Sequence, residues 1–408
     1  MTFRRMGIMI GLAALAVGCS DKSSRPPPAC SGGVSTVSGL PLPKGCAAQP
    51  AGDADGQVEV LPWAGFKGAV SFTFDDAVGS QLRNYETLNA PGVRLTFYIA
   101  PNQVEREDPE GGELLPRWKQ VVADGHEIGS HTVHHCKILS AEGDGTLDVE
   151  NTSNPCAWGV PEAELATARL QVEAANDYVR DVIGQVDALG RPAVWTMATP
   201  YGDGAYKRFA QEAGLLASRD VWMDSEARSA FLAPGDLDEI FSLPTWAGGG
   251  APWWGVDTEQ ETFEEIIDDA RGRGGWTTLL FHDVTPDPDP GWDPQNYSCC
   301  AVAAGNIAGA LEHLKRWGDV WGDSVVNVAA YTIAQHLFST LAPVEGGGGE
   351  QTWTWTLPDN YPPGKYLRVS VTGGTLSQTI DGAAVTLPWN SRGFYEVALD
   401  AGNLTLTP

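Results

Sequence analysis

Beyond about residue 58, short runs of β-branched and aromatic residues alternate with longer stretches of helical spacing, and this alternation constrains the fold more than any other feature. Residues 69–74, 93–99, 127–130, 193–198, 215–218, 240–243, 277–281 and 325–328 read as strands. Stretches near 79–89, 113–124, 205–213, 262–272 and 303–317 read as helices. The longest helix is expected over 161–183. Pro161 stands at its first turn, Leu165, Ala168, Val172, Ala175, Val179 and Val182 recur at three- and four-residue spacing, and Gly184 caps it. A strand returns parallel to its predecessor only through a crossover, and the helices supply those crossovers. About seven such units in series predict an α/β chain with a distorted parallel (β/α) barrel over 58–344.

The texture changes on both sides of the barrel. Four consecutive glycines at 346–349 interrupt it, so 345–350 reads as a hinge-like linker. From 351 to 408, short alternating runs separated by turn pairs such as Asp381-Gly382 predict a small accessory all-β, sandwich-like domain. At the other end, Arg4-Arg5 precede an apolar run from Met6 to Val17 that is too short to span a membrane, and small residues lead into Cys19. This resembles a bacterial lipobox. Residues 1–18 are therefore expected to be a signal peptide, Cys19 the lipidated residue, and the Pro-, Ser- and Gly-rich stretch 19–57 a flexible tether. The expected address is that of an exported bacterial lipoprotein at the outer membrane or cell surface, or of a secreted protein if Cys19 is not lipidated. Export suits the remaining cysteines. Proximity favours Cys30 with Cys46 and Cys136 with Cys156, with Cys299 or Cys300 as an alternative staple for the insertion 136–160. With 52 acidic and 26 basic residues the net charge is −26, which excludes nucleic acid as a partner because phosphate binding needs clustered Lys and Arg. Membrane contact is expected only through the lipid at Cys19.

Chemistry collects where strands end. The run 69–74 stops at Asp75-Asp76, and two adjacent side chains leaving a strand point in different directions. One carboxylate can then bind a metal ion while the other faces a substrate. His126, His131, His134 and His135 follow close together. His131 and His135 stand four apart behind the strand 127–130, so two imidazoles on one turn can reach one ion; His134 is the alternative to His135. Thr199-Pro200-Tyr201-Gly202 follows 193–198, and Leu280-Phe281-His282-Asp283 ends 277–281. Each cluster alone is compatible with a solvated turn. In a β/α barrel all of them converge on the face formed by the C-terminal strand ends.

This set of motifs, in this order, resembles the polysaccharide deacetylase (NodB-like) family over roughly residues 60–340. The resemblance implies a barrel that removes N- or O-acetyl groups from sugars. It implies Asp76, His131 and His135 as ligands of a divalent metal, zinc by default, with cobalt or another divalent ion also admitted. It implies Asp75 as the general base for the attacking water and His282 as the general acid for the departing amine or hydroxyl. The backbone N–H of Tyr201 would help hold the oxyanion, and Leu280 would line the pocket for the acetyl methyl. One position departs from the pattern. The family's third motif carries an Arg two residues before its Pro, bracing the catalytic Asp, and here that position is Ala198. Arg219, ending the next strand, is expected to supply the charge to Asp75, and Asp220 or Asp224 to orient His282.

Several tryptophans (Trp158, Trp222, Trp246, Trp253, Trp254 and Trp292) fall near this face, where indole faces can stack on sugar rings. Trp222 is expected to bind substrate. The stretches 136–160 and 284–301 are expected to wall the groove. The combined expectation is a hydrolase that takes N-acetyl groups from an N-acetylglucosamine-containing polysaccharide, chitin-like or peptidoglycan. Two alternatives stay open: an O-acetyl esterase on xylan or another acetylated glycan, and a retired, carbohydrate-binding lipoprotein suggested by Ala198. In the C-terminal region Trp353 and Trp355 share one face, and with Trp389 they suit carbohydrate binding or packing on the barrel, packing being expected.

Overall fold

The computed structural model describes residues 36–50, 56–149, 156, 157, 159, 161–191, 193–221, 231–247, 260–286 and 300–408. In chain order its first strands are β1 (Val58–Val60), β2 (Ala69–Phe74), β3 (Thr96–Ile99), β4 (Glu127–Ser130), β5 (Ile138–Ser140), β6 (Thr146–Leu147), β7 (Thr196–Ala198), β8 (Ala217–Arg219), β9 (Thr245–Ala247) and β10 (Trp276–Phe281). Short strands β11 (Val284–Thr285), β12 (Val302–Ala303) and β13 (Trp321–Gly322) follow. Parallel strands run side by side in the order β8-β7-β4-β3-β2-β10-β9, with β13 also on β2. Backbone bonds of Ser218 to Ile240 and Leu243, each 3.1 Å, bring β8 against the segment that enters β9, so the barrel nearly closes.

Helices α1 (Gly79–Arg83), α2 (Tyr85–Asn89), α3 (Pro101–Glu107), α4 (Leu114–Ala123), α5 (Ala168–Tyr178), α6 (Lys207–Glu212), α7 (Gln260–Arg273), α8 (Ala304–Trp317) and α9 (Val325–Ser339) make the crossovers and cover the sheet. Strand alternation sorts the side chains. Val70, Phe72, Phe74, Phe97, Leu279 and Phe281 point outward into one buried cluster with Phe263, Ile267, Ile307 and Leu311 of the helices. The opposite faces are largely polar and bonded across strands: Thr278 to Thr245 at 2.8 Å, Trp276 Nε1 to Ser71 at 3.2 Å, and Thr73 to the Leu279 carbonyl at 2.9 Å.

Several elements differ from the sequence reading. The long helix starts at Ala168, not Pro161, because the Thr167 side chain accepts from the Leu170 N–H and makes a better cap. Its last turn, Val179–Ile183, is a π-turn ending at Gly184 with φ 80°. The stretch 325–328 opens helix α9 rather than forming a strand. That helix is apolar almost all round and is buried between barrel and C-terminal sheets, so packing overrides β-propensity. Residues 240–243 make only an isolated bridge, and the strand lies just beyond, at β9.

The C-terminal region adds β14 (Val344–Glu345), β15 (Gln351–Thr354), β16 (Tyr366–Val371), β17 (Thr375–Ile380), β18 (Ala383–Thr386), β19 (Tyr395–Ala398) and β20 (Asn403–Thr407). They form antiparallel sheets ordered β14-β15-β20-β17-β18 and β1-β16-β19. β1, expected with the barrel, thus completes a C-terminal sheet. The glycine run turns a hairpin: Val344 and Glu345 pair with Thr352 and Gln351, and Gly348 and Gly349 take φ of 75° and 85°, which a side chain would resist. Trp353 stacks on Phe338 of α9 at 6.0 Å and Trp355 meets the same ring at 6.2 Å, so both pack rather than face solvent. Trp389 lies half-buried on Tyr395. Part of the expected tether is bound as well. Val37 donates to Glu396 at 2.8 Å, Arg368 to the Pro41 carbonyl at 2.7 Å, and Ala47 to the Ser391 carbonyl at 2.9 Å. Cys136 and Cys156 form a disulfide, which rules out Cys299 or Cys300 as the staple of either. The signal segment, Cys19 and Cys30 lie outside the described residues.

Candidate active site

The residues singled out from sequence meet at the C-terminal ends of the strands. Asp75 and Asp76 follow β2, His131 follows β4, Tyr201 follows β7, Arg219 ends β8 and His282 follows β10. The backbone here is forced into unusual conformations. Asp76, Ala77, Thr132, His135 and Tyr201 have φ of 74°, 56°, 58°, 53° and 57°. Such strain persists only where surrounding structure imposes it, and it accumulates at functional sites.

His131 fixes the chemistry of the trio. Its Nδ1 lies 2.9 Å from the Ala198 carbonyl and must donate to it, which turns Nε2 toward the carboxylates, 3.3 Å from Asp76 and 3.7 Å from Asp75. His135 Nε2 stands 3.8 Å from the same Asp76 oxygen, Oδ1, and the two imidazoles cross at 4.7 Å. One ligand atom from each of Asp76, His131 and His135 falls within 4.8 Å of the others. Asp76 Oδ1 and His131 Nε2 are buried, and neither makes a well-formed hydrogen bond among the described residues. Buried polar atoms left this way cost about 1–3 kcal/mol each unless something else takes them up. Two imidazoles and a carboxylate are the donor set that suits zinc or a similar divalent ion and leave open positions on it. The trio therefore fits such an ion.

Electrostatics agree. Burial works against charge on His131, yet Asp75 and Asp76 outweigh it and raise its pKa; the site attracts positive charge. Burial and the neighbouring His131 instead drive His135 down to about 3, holding it as the neutral form a ligand needs. Burial opposes ionisation of Asp76, but the adjacent His131 and the other nearby imidazoles leave its pKa well below the usual carboxylate range.

Asp75 is gripped differently. The Arg219 guanidinium, fully buried, bonds both of its carboxylate oxygens and lies 5.3 Å over the Tyr98 ring. Arg219 is the lateral partner of Ala198 in the β7–β8 register, so the charge absent at 198 arrives one strand over at the same level. Tyr201, half-buried, has its ring 4.3 Å from that of His135 and 4.9 Å from the Lys137 ammonium. Leu280 is completely buried between Thr73 and Ala247. Asp220 does not orient His282: it bonds Thr199 at 3.1 Å and Ser242, and faces Lys207 at 3.6 Å. Trp246 is core, packed edge-on to Phe263 at 5.9 Å. Trp158, Trp222, Asp224, Trp253, Trp254 and Trp292 lie outside the described residues. His134 is held by Gln171 at 3.1 Å, away from the trio.

Two groups of residues escaped the sequence reading. Gln81 Nε2 donates to the carbonyls of Asp75 at 2.6 Å and His282 at 2.9 Å, tying both loops together. Ser80 bonds Asp283 at 2.5 Å and fixes the same junction. Their only sequence signal is a polar pair on the first turn after the Asp-Asp motif. Lys137 is the other: a basic residue just past the histidines.

Residues 65–217 match the family model described as polysaccharide deacetylase. That match bears out, over this stretch, the resemblance carried by the motifs. Among solved structures the chain is similar to a family 4 carbohydrate esterase from Streptomyces lividans (13% identity, 63% of this chain and 92% of that one, TM-score 0.36). It is also similar to a polysaccharide deacetylase from Bacillus cereus (15%, 63% and 91%, TM-score 0.34) and a family 4 pseudoenzyme from Bacillus anthracis (14%, 63% and 63%, TM-score 0.34). A curated relative, gellan lyase of a Bacillus species, is 34% identical over 82 residues, or 20% of this chain; the match spans 3% of that protein's length.

Proposed function

We propose that this protein hydrolyses N-acetyl groups from an N-acetylglucosamine-containing polysaccharide, chitin-like or peptidoglycan, with zinc or a similar ion held by Asp76, His131 and His135. The observation that carries the reading is the contrast within one buried cluster: Asp75 saturated by Arg219, Asp76 and His131 left with unbonded atoms aimed at a common point. The ion, when bound, would polarise the acetyl carbonyl and acidify water. Asp75, oriented by Arg219, takes the proton from the attacking water. The Tyr201 N–H would help hold the developing oxyanion. His282, its loop anchored through Gln81, returns a proton to the departing nitrogen. Leu280 underlies the acetyl methyl, and Trp222 contacts the sugar. Arg219 is a positioning residue; it reaches the reaction only through Asp75. The protein works as an exported lipoprotein held by Cys19, with acetylated polysaccharide as its partner.

The test is acetate release by the zinc-loaded protein from chitin oligomers, peptidoglycan and acetylated xylan, with Asp75→Asn alongside. Release from the amino-sugar polymers, abolished in Asp75→Asn, is expected. Release from xylan alone would make the protein an O-acetyl esterase, and none from any polymer, with metal bound, would leave a binding protein.

A further inference from the structure

We propose that Lys137 reads a carboxylate on the polymer, so that the site prefers an acetylated amino-sugar chain whose neighbouring unit is acidic over a neutral one. This rests on the deacetylase reading and adds a substrate class to it. Lys137 is exposed, two residues past His135, and its ammonium sits over the Tyr201 ring, which itself packs against His135. The ammonium therefore lies within about 9 Å of the His135 ring.

A surface lysine is ordinarily a mobile, solvated point charge. This one is held at its base. Cys136 before it is bridged to Cys156 and its carbonyl accepts from Tyr206 at 2.9 Å; the Ile138 N–H after it donates to Asp203 at 3.0 Å. The ring contact restrains the side chain further. Neighbouring cations are neutralised: Lys207 by Asp220 at 3.6 Å, Arg208 by Glu212 at 2.7 Å and Arg169 by Asp144 at 2.9 Å. Lys137 makes no ion pair among the described residues. Two explanations that need no ligand fail on position. An exposed ammonium is no metal ligand, and its protein neighbour, an aromatic face, leaves its N–H donors turned to solvent. In a chain of net charge −26, an anionic polymer is repelled overall, and salt screens that field beyond about 8 Å. A cation at the site itself supplies the local attraction that the overall field does not.

The experiment uses the full zinc-loaded chain and deacetylated amino-sugar oligomers, which bind without turning over. One has no acid group and is neutral in that respect only, one carries lactyl carboxylates, one alternates with a uronic acid, and each acid is paired with its methyl ester. At least one acid is expected to bind about five-fold more tightly than its ester, and which one identifies the source of the carboxylate. Lys137→Gln is expected to erase that ratio and leave the neutral oligomer unchanged, and Lys137→Arg to keep part of it. A ratio near one in the native protein, a ratio that survives in Lys137→Gln, or an equal loss on the neutral oligomer overturns the proposal. Acid preference without acetate release from any acetylated polymer would sink the deacetylase reading and leave Lys137 a binding determinant.

Discussion

The two ends of the barrel both bury charge, and they treat it in opposite ways. At the N-terminal strand ends, Glu127 is buried but its oxygens accept from Thr196 at 2.6 Å, Thr96 at 2.8 Å and the Val326 N–H at 2.9 Å. Asp323 there accepts from Arg94, Trp321, Ser324 and Asn327. His126 uses both nitrogens, accepting from the Leu95 N–H at 2.9 Å and meeting Asn89 at 3.0 Å. At the C-terminal ends, Asp76 Oδ1 and His131 Nε2 are buried ligand atoms left unbonded, amid strained backbone. Satisfied buried polar groups specify a structure; unsatisfied ones in a folded protein imply something yet to bind. Conservation of charge type would not have separated these two clusters, since both contain His, Asp or Glu, and Arg.

Substitutions should therefore split cleanly by end. His131→Ala is expected to lower acetate release about 10⁴-fold, about 5 kcal/mol of barrier. Zinc at a hundred times its Kd should stabilise the native protein by about 2.7 kcal/mol and leave that variant unmoved in thermal melts; equal stabilisation of both would place the ion elsewhere. Arg219→Ala leaves Asp75 buried and unpaired, so a loss of about 3–5 kcal/mol in denaturant titrations is expected together with lost turnover. Arg219→Lys should recover part of the stability, because it restores a charge to Asp75 but loses the second nitrogen that bonds the Asp220 carbonyl. Native turnover per folded molecule in Arg219→Ala would end its positioning role. The smallest effect belongs to the opposite end. Burial holds His126 down to about 4, below its ordinary value of about 6.5. The unfolded chain takes up a proton as pH falls below about 6.5, whereas the folded one resists until about 4. This residue's contribution is thus intact above that window and declines through it, by about 3 kcal/mol in all. The stability gap between the native protein and His126→Gln should shrink from pH 7 to pH 5, with metal affinity unchanged; a constant gap would show that His126 titrates alike in the folded and unfolded chain.

Periodicity made the barrel legible because parallel strands covered by helices must be apolar and short, and the crossovers must be helical. Asp75, Asp76, His131 and His135 were legible because adjacency and four-residue spacing are geometric statements in themselves. Val325 and Val326 misled because their preference is local, whereas the fifteen-residue helix they open is set by the sheets on either side. Trp246 misled because an indole near a strand end looks the same in sequence whether it faces sugar or Phe263. Gln81 and Lys137 carry no pattern at all. Each matters through one contact between segments distant in the chain or folded back by a disulfide, and only packing reveals it.

The pairing of Ala198 with Arg219 has a wider consequence. In a ring of parallel strands, a position is defined by its height above the floor as much as by the strand that owns it. Neighbouring staves can exchange a charge at constant height without displacing the atom it serves. An apparent vacancy in a linear motif is then a weak sign of lost catalysis. Whether a barrel of this kind has fallen silent is better judged by asking whether any side chain at that height still reaches the carboxylate, and in this chain one does.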